Sequence, residues 1–217
     1  HSRRYADDFS AARSECDWAA RYPISHLSEP QTDKSLGNSL AKVARPAVFF
    51  DRDGVLVVDH GYTYRLQDLQ WTPGAREGIK LCKQAGYWVF VVTNQSGISR
   101  GLYSEPDVSA FHDAMQKDLQ VVGTQIDDFR YCPHHPDALR AEYRCDCECR
   151  KPKPGMITRL IQTWPIEREK SFLIGDKLSD IEAASAAGIA GYLYRSGPLD
   201  EFLGPLLQIS TPRGGGQ

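Results

Sequence analysis

The chain has 217 residues, of which 41% are apolar and 25% charged, with a formal net charge of −2. Those proportions suit a globular domain, and the near balance of charge excludes a whole-molecule attraction to nucleic acid or anionic membrane. With so little net charge any anionic substrate has to be held by local positive groups, and no window approaches the roughly 18 consecutive apolar residues of a membrane span.

Residues 1–45 mix charge, serine and two prolines (Pro23 and Pro30), with one helix-compatible piece from Ser14 to Arg21. They are expected to form an N-terminal arm. The arginines near the start precede no apolar run, so no secretory signal is expected. The main domain is expected over 46–200, with 201–217 as a frayed tail.

The stretch Ala47 to Val55 reads A-V-F-F-D-R-D-G-V, four apolar residues running into two aspartates and a glycine. It predicts a buried strand whose C-terminal end carries Asp51 and Asp53 on one loop, where open α/β sheets place their chemistry. Like charges that close stay ionised only with a cation between them, or one takes a proton. Alone, a D-x-D-G turn is as readily two solvated aspartates as a site.

Val57 to Trp71 is too polar and irregular for a core element and is expected to be a loop over that strand end. A helix follows Pro73, with Ile79, Leu81 and Cys82 inward and Gly86 ending it. Tyr87 to Val92 predicts a second strand emptying into T-N-Q-S-G, and Ser104 caps a helix to about Val121 with Val108, Phe111, Met115 and Leu119 inward. Phe129 to Cys132 predicts a third strand, followed by a Cys/His/Pro-rich loop ending in R-K-P-K-P-G. Met156 to Trp164 is expected to be helical and Ser171 to Ile174 a fourth strand. The turn G-D-K-L-S-D, a helix to Ala187 and a last strand at Ala190 to Tyr194 complete the series. Alternating strands and helices without hairpin signals give an α/β fold with a doubly wound parallel sheet.

Four successive strand ends then share one crevice. Asp51 and Asp53 end the first, Thr93 and Asn94 the second, Lys151 follows the third, and Asp176 and Asp180 follow the fourth. One carboxylate beside a divalent cation can attack phosphorus, and a second can protonate the leaving oxygen and later deprotonate water. A threonine with adjacent backbone N–H groups holds phosphoryl oxygens, a lysine offsets their charge, and a further aspartate completes an oxygen-rich Mg²⁺ shell.

D-R-D-G, T-N-Q-S-G, R-K-P and G-D-K-L-S-D resemble the four motifs of the haloacid dehalogenase (HAD)-like phosphatases. D-H-G-Y at Asp59 to Tyr62, together with the Cys/His loop, is similar to the family of D-glycero-D-manno-heptose 1,7-bisphosphate 7-phosphatases. The likeness spans about Pro46 to Arg195. It implies a Rossmann-like HAD fold without a large cap, Asp51 as nucleophile and Asp53 as general acid/base. It also implies Mg²⁺ held by Asp51, the Asp53 carbonyl and Asp176, with Thr93 and Lys151 stabilising the phosphoryl group. Substrate contacts implied by the likeness fall at Asp59, His60, Gly61, Tyr62, Thr93, Asn94, Gln95, Ser96, Arg150, Lys151 and Lys177. Val55 departs from the family, which often has threonine there, and removes no ligand.

Four of the six cysteines lie between Cys132 and Cys149, a clustering that points to a metal and a reducing cytoplasm rather than to a disulfide framework. Paired thiolate and imidazole groups on either side of a loop suit structural zinc. The positions matching the family's zinc loop are Cys132, His134, Cys147 and Cys149, with Cys145 for Cys147 or His135 for His134 as alternatives. Arg52, Arg100, Arg150, Lys151 and Lys177 offer positive charge for a bisphosphate. The expected partner is therefore a small phosphorylated sugar, with no nucleic acid or membrane, acted on by a monomer. Histidinol-phosphate phosphatase is the nearest rival reading, because it shares the scaffold and the zinc loop. A nucleic-acid 3′-phosphatase lacks support from any basic stripe, and a non-catalytic zinc-stabilised module sits poorly with a complete set of site residues.

Overall fold

In the computed structural model the described residues are 43–207. The expected arm, with its piece from Ser14 to Arg21, falls almost wholly outside them, as does the end of the tail. Five parallel strands form one sheet: β1 (Ala47–Phe50), β2 (Trp88–Asn94), β3 (Asp128–Cys132), β4 (Phe172–Gly175) and β5 (Ala190–Leu193), in the order β3-β2-β1-β4-β5. The helices are α1 (Ala75–Gln84), α2 (Ser96–Ser99), α3 (Glu105–Val121), α4 (Gly155–Thr163), α5 (Leu178–Ala186) and α6 (Leu199–Leu203).

Period-two alternation along β1 splits the core into two layers. Val48 and Phe50 face the layer containing Ile79 of α1, Phe111 and Met115 of α3, and Leu199 and Leu203 of α6. Ala47 and Phe49 face the opposite layer, with Met156, Ile157 and Leu160 of α4 and Ala183 and Ala184 of α5. Central β1 is wholly buried because both faces are covered, and its C-terminal end has no freedom to wander.

Helix α3 begins in a reciprocal capping box, in which Asp107 N donates to Ser104 Oγ and Ser104 N to Asp107 Oδ2. Two expectations are corrected. The tail from residue 201 is not frayed as far as Leu207: α6 packs Leu203 onto α1, where Gly78 leaves so little room that a Cβ would lie 2.8 Å from Leu203 Cδ1. The segment from Val57 is not wholly a surface loop either, since Val57 is buried and bridges both Asp53 and Trp71. Among the described residues no cap domain interrupts the sheet, and no helix is long and apolar enough to cross a membrane.

Candidate active site

The strand order brings the ends of β1, β2 and β4 side by side, and Asp51 leaves β1 between its two neighbours. Its N–H donates to Ile174 O at 2.9 Å, continuing the β4 ladder one residue past the strand. Lys151, arriving from the cysteine loop, places its Nζ 2.9 Å from Asp51 Oδ1, 2.6 Å from Asp180 Oδ1 and 2.8 Å from Val92 O. Of these contacts only that to Val92 O has hydrogen-bond geometry; the two carboxylates meet the ammonium as ion pairs, and Asp180 Oδ1 has no hydrogen-bond partner of its own. Burial works against this charge, but Asp51 and Asp180 outweigh it and hold the lysine above its ordinary range. The Asn94 amide clasps the Lys151 backbone from both sides: Lys151 N donates to Oδ1 at 3.1 Å and Nδ2 to Lys151 O at 3.0 Å.

Carboxylate oxygens of Asp51, Asp176 and Asp180 lie within 4.8 Å of one another. Asp176 Oδ1 is buried without a hydrogen-bond partner, which is how an oxygen looks when its natural partner is an ion. Burial, with the negative Asp51 beside it, pushes the Asp176 carboxyl up to about 6 against the pull of Lys177. Gly54, at φ +82°, makes the approach possible, because a Cβ there would sit 2.6 Å from Asp176 Oδ2. An oxygen-only donor set of this kind fits a hard cation such as Mg²⁺. Asp180 was not among the sequence-predicted ligands. It holds Lys151 and accepts from Lys177 N at 3.0 Å, and the D-x-x-x-D spacing was the signal for it.

The Asp53 carboxylate belongs to a different network. Arg52 Nε lies 3.2 Å from its Oδ1 and Nη2 3.0 Å from its Oδ2, while Gln95 Nε2 donates to Oδ2 at 2.9 Å. Burial raises the Asp53 carboxyl and the neighbouring Asp51 adds to this, with Arg52 opposing. Thr93 Oγ1 is buried and accepts from Gln95 Nε2 at 2.9 Å. Arg52 was expected to offer charge to a bisphosphate; it is wholly buried and serves as the counter-ion of Asp53 instead.

The loop from Asp59 to Tyr62 turns tightly, with Gly61 N donating to Asp59 Oδ1 at 2.8 Å and His60 N to Thr63 Oγ1 at 3.0 Å. Tyr62 takes a left-handed φ of 69° and remains 43% exposed. Ser96 opens α2, beside the threonine turn. The largely exposed Lys177 has its Nζ 3.8 Å from Asp176 Oδ2; burial works against its charge, and Asp176, Asp51 and Asp59 together raise it.

In the cysteine loop, Cys132, His134, Cys147 and Cys149 converge. Cys149 Sγ lies 3.3 Å from Cys132 Sγ, 3.2 Å from Cys147 Sγ and 3.4 Å from His134 Nδ1, and Cys132 Sγ lies 3.8 Å from His134 Nδ1. Tetrahedral zinc with sulfur ligands at about 2.3 Å has edges of roughly 3.8 Å, so the quartet needs only slight expansion to hold it. Cys145 and His135 are not members of the quartet; His135 Nδ1 accepts from Asp137 N at 3.1 Å. Arg150 follows directly and donates from Nη1 to His134 O at 3.2 Å, tying its guanidinium to the quartet.

The chain is similar to known proteins. A family described as HAD-hydrolase-like matches residues 148–201. The chain is 47% identical over 163 residues to the D-glycero-beta-D-manno-heptose-1,7-bisphosphate 7-phosphatase of Rhodopseudomonas palustris, covering 75% of this chain and 91% of that one. It is 44% identical over 144 residues to the enzyme of the same name from Photorhabdus laumondii, with 66% and 77% covered. Among solved structures, the D,D-heptose 1,7-bisphosphate phosphatase of B. bronchiseptica, complexed with magnesium and phosphate, aligns with a TM-score of 0.63 at 33% identity, over 73% of this chain and 85% of that one.

Proposed function

We propose, from the premise that this chain belongs to the HAD-like family of heptose bisphosphate phosphatases, that it releases the 7-phosphate of D-glycero-D-manno-heptose 1,7-bisphosphate through a phosphoryl-aspartate. The observation that supports this most is the convergence of Asp51, Asp176 and Asp180 with Lys151 in contact with two of them. Asp51 attacks phosphorus as the bond from phosphorus to the sugar oxygen breaks, and Asp53 gives its proton to that oxygen. Water then loses a proton to Asp53 and attacks the same phosphorus, freeing inorganic phosphate and restoring the Asp51 carboxylate. Burial of Asp53 favours the protonated form the first step needs.

Mg²⁺, held by Asp51, Asp176 and the Asp53 carbonyl, would supply charge neutralisation at the phosphoryl oxygens. Zinc at Cys132, His134, Cys147 and Cys149 would be structural, with all four positions filled by protein, and would fix the chain just before Arg150 and Lys151. A heptose bearing a second phosphate would meet Arg150 and Lys177 at the rim, under a roof made of loops. The reducing cytoplasm is the compartment that keeps such thiolates available.

Phosphate release from the β and α anomers of heptose bisphosphate, histidinol phosphate and a 3′-phosphorylated oligonucleotide tests this, for wild type and Asp51→Asn. Preference for the heptose, abolished by Asp51→Asn, is the expected result. A preference for histidinol phosphate would overturn the substrate alone, and an active Asp51→Asn would overturn the chemistry.

A further inference from the structure

We infer that Arg52 is a positioning residue that locks the Asp53 carboxylate to the loop over the site, so that proton delivery to the leaving oxygen depends on a guanidinium that never meets the substrate. The inference rests on the assignment of Asp53 as acid/base. Arg52 has no exposed surface, yet its guanidinium reaches four separate parts of the chain. Beyond the Asp53 oxygens, Nη2 lies 2.6 Å from Thr63 O in the loop following Asp59 to Tyr62, and 3.1 Å from Gln95 Oε1 at the end of β2. Nη1 lies 3.3 Å from His112 Nε2 on α3, and the guanidinium stacks 4.8 Å above the Phe111 ring.

The partners of Arg52 are themselves fixed. His112 stacks on Phe129 at 4.5 Å, and burial, with the Arg52 cation beside it, keeps the imidazole neutral and able to accept. Gln95 spends its amide on Asp53 and Thr93, and its carbonyl oxygen accepts from Tyr103 OH at 2.7 Å as well as from Arg52. The Asp53 carboxylate is thus held by a planar fork and a second amide donor, which fixes its direction as well as its charge. A lysine at 52 would supply the charge from one point without the fork. The Thr63 carbonyl on the same guanidinium means that displacing the roof loop also disturbs the grip on Asp53.

Leaving-group dependence separates this role from a merely structural one. An alkoxide needs the proton that Asp53 delivers, whereas p-nitrophenolate leaves without it. The experiment measures kcat and KM for a sugar phosphate and for p-nitrophenyl phosphate in wild type, Arg52→Lys, Arg52→Met, Gln95→Met, Asp53→Asn and the double variant Arg52→Lys/Asp53→Asn. Arg52→Lys is expected to lose about 100-fold in kcat on the sugar phosphate and less than about 10-fold on the aryl ester, within the range of general-acid effects. In the Asp53→Asn background it is expected to cost less than about threefold, because residues acting as a unit are not additive. Equal losses on both substrates, or additive losses in the double variant, overturn the inference. Should neither Arg52 variant fold, Gln95→Met removes the neutral half of the same clamp: a loss confined to the sugar phosphate supports the inference and an equal loss overturns it. If Asp53→Asn itself shows no leaving-group preference, the assignment of Asp53 fails and the inference falls with it.

Discussion

Asp51 and Asp53 are separated by a single residue, each against a buried cation, and their surroundings differ in kind. Asp51 faces an ammonium that also contacts Asp180 and Val92, and both Asp176 and Asp180 keep an oxygen without a hydrogen-bond partner. Asp53 faces a guanidinium fork and a glutamine amide, on the side of α3 and the roof loop. The first setting gathers negative charge and is completed by a cation, which suits a nucleophile. The second isolates one carboxyl, raises its pKa by burial and aims it, which suits a proton carrier. Two aspartates in one short motif acquire separate surroundings, fit for separate work, from what arrives at them through the fold.

The largest expected effects test that contrast directly. Asp51→Asn should lower kcat on every phosphate ester by on the order of 10⁴-fold or more, as removal of a nucleophile does. Asp53→Asn should cost about 10² to 10⁴-fold on a sugar phosphate and much less on an aryl ester. Similar leaving-group profiles for the two variants would erase the distinction.

Lys151→Met should come next. Lys151 is 4% exposed and sits among carboxylates, so its removal leaves uncompensated buried charge. A loss of about 3–5 kcal/mol in stability is expected in chelator, with part of it recovered in Mg²⁺. Urea unfolding in both conditions measures this, and an effect unchanged by Mg²⁺ would separate Lys151 from the cation site.

Stripping the zinc proposed for the quartet is expected to reduce turnover several-fold through Arg150 and Lys151, with Zn²⁺ restoring it and added Mg²⁺ failing to. A zinc-free sample that retained full turnover with Mg²⁺ would show that the quartet does not position those residues.

The smallest effect concerns pH. The Asp176 carboxyl is raised from 3.8 to about 6. Without a divalent cation the native state therefore keeps a proton that the unfolded chain has released, and this contribution to stability is lost as pH rises through about 6. In chelator, the stability of wild type relative to Asp176→Asn should fall between pH 4 and pH 7, and thermal unfolding of the pair measures it. A relative rise over that interval would contradict the carboxylate crowding inferred at this site.

Much of this architecture was legible because β1, β2 and β4 are apolar runs that end abruptly in polar residues, a pattern set by burial on both faces of a parallel sheet. The carboxylates and the cysteine quartet were legible for a related reason: groups costly to bury stand out when they cluster. Arg52 was not, because an arginine inside a polar motif looks the same in sequence whether it faces water or a buried carboxylate, and only the arrival of Thr63, Gln95 and His112 decides. Helix α6 was missed although Leu199 and Leu203 repeat at helical spacing, since the glycine-rich end of the chain suggested fraying throughout. Asp180 was visible as a polar residue of the fourth turn, but its pairing with Lys151 depends on a loop that returns from a distant part of the chain.

The most direct test of the central claim is the stereochemical course at phosphorus, followed with a phosphorothioate ester made chiral by sulfur and ¹⁸O and hydrolysed in ¹⁷O-labelled water, so that the released thiophosphate is itself chiral. Two successive in-line displacements, first by Asp51 and then by water, predict retention of configuration. Inversion would mean that water attacks the substrate directly, and that the Asp51 carboxylate never bonds to phosphorus.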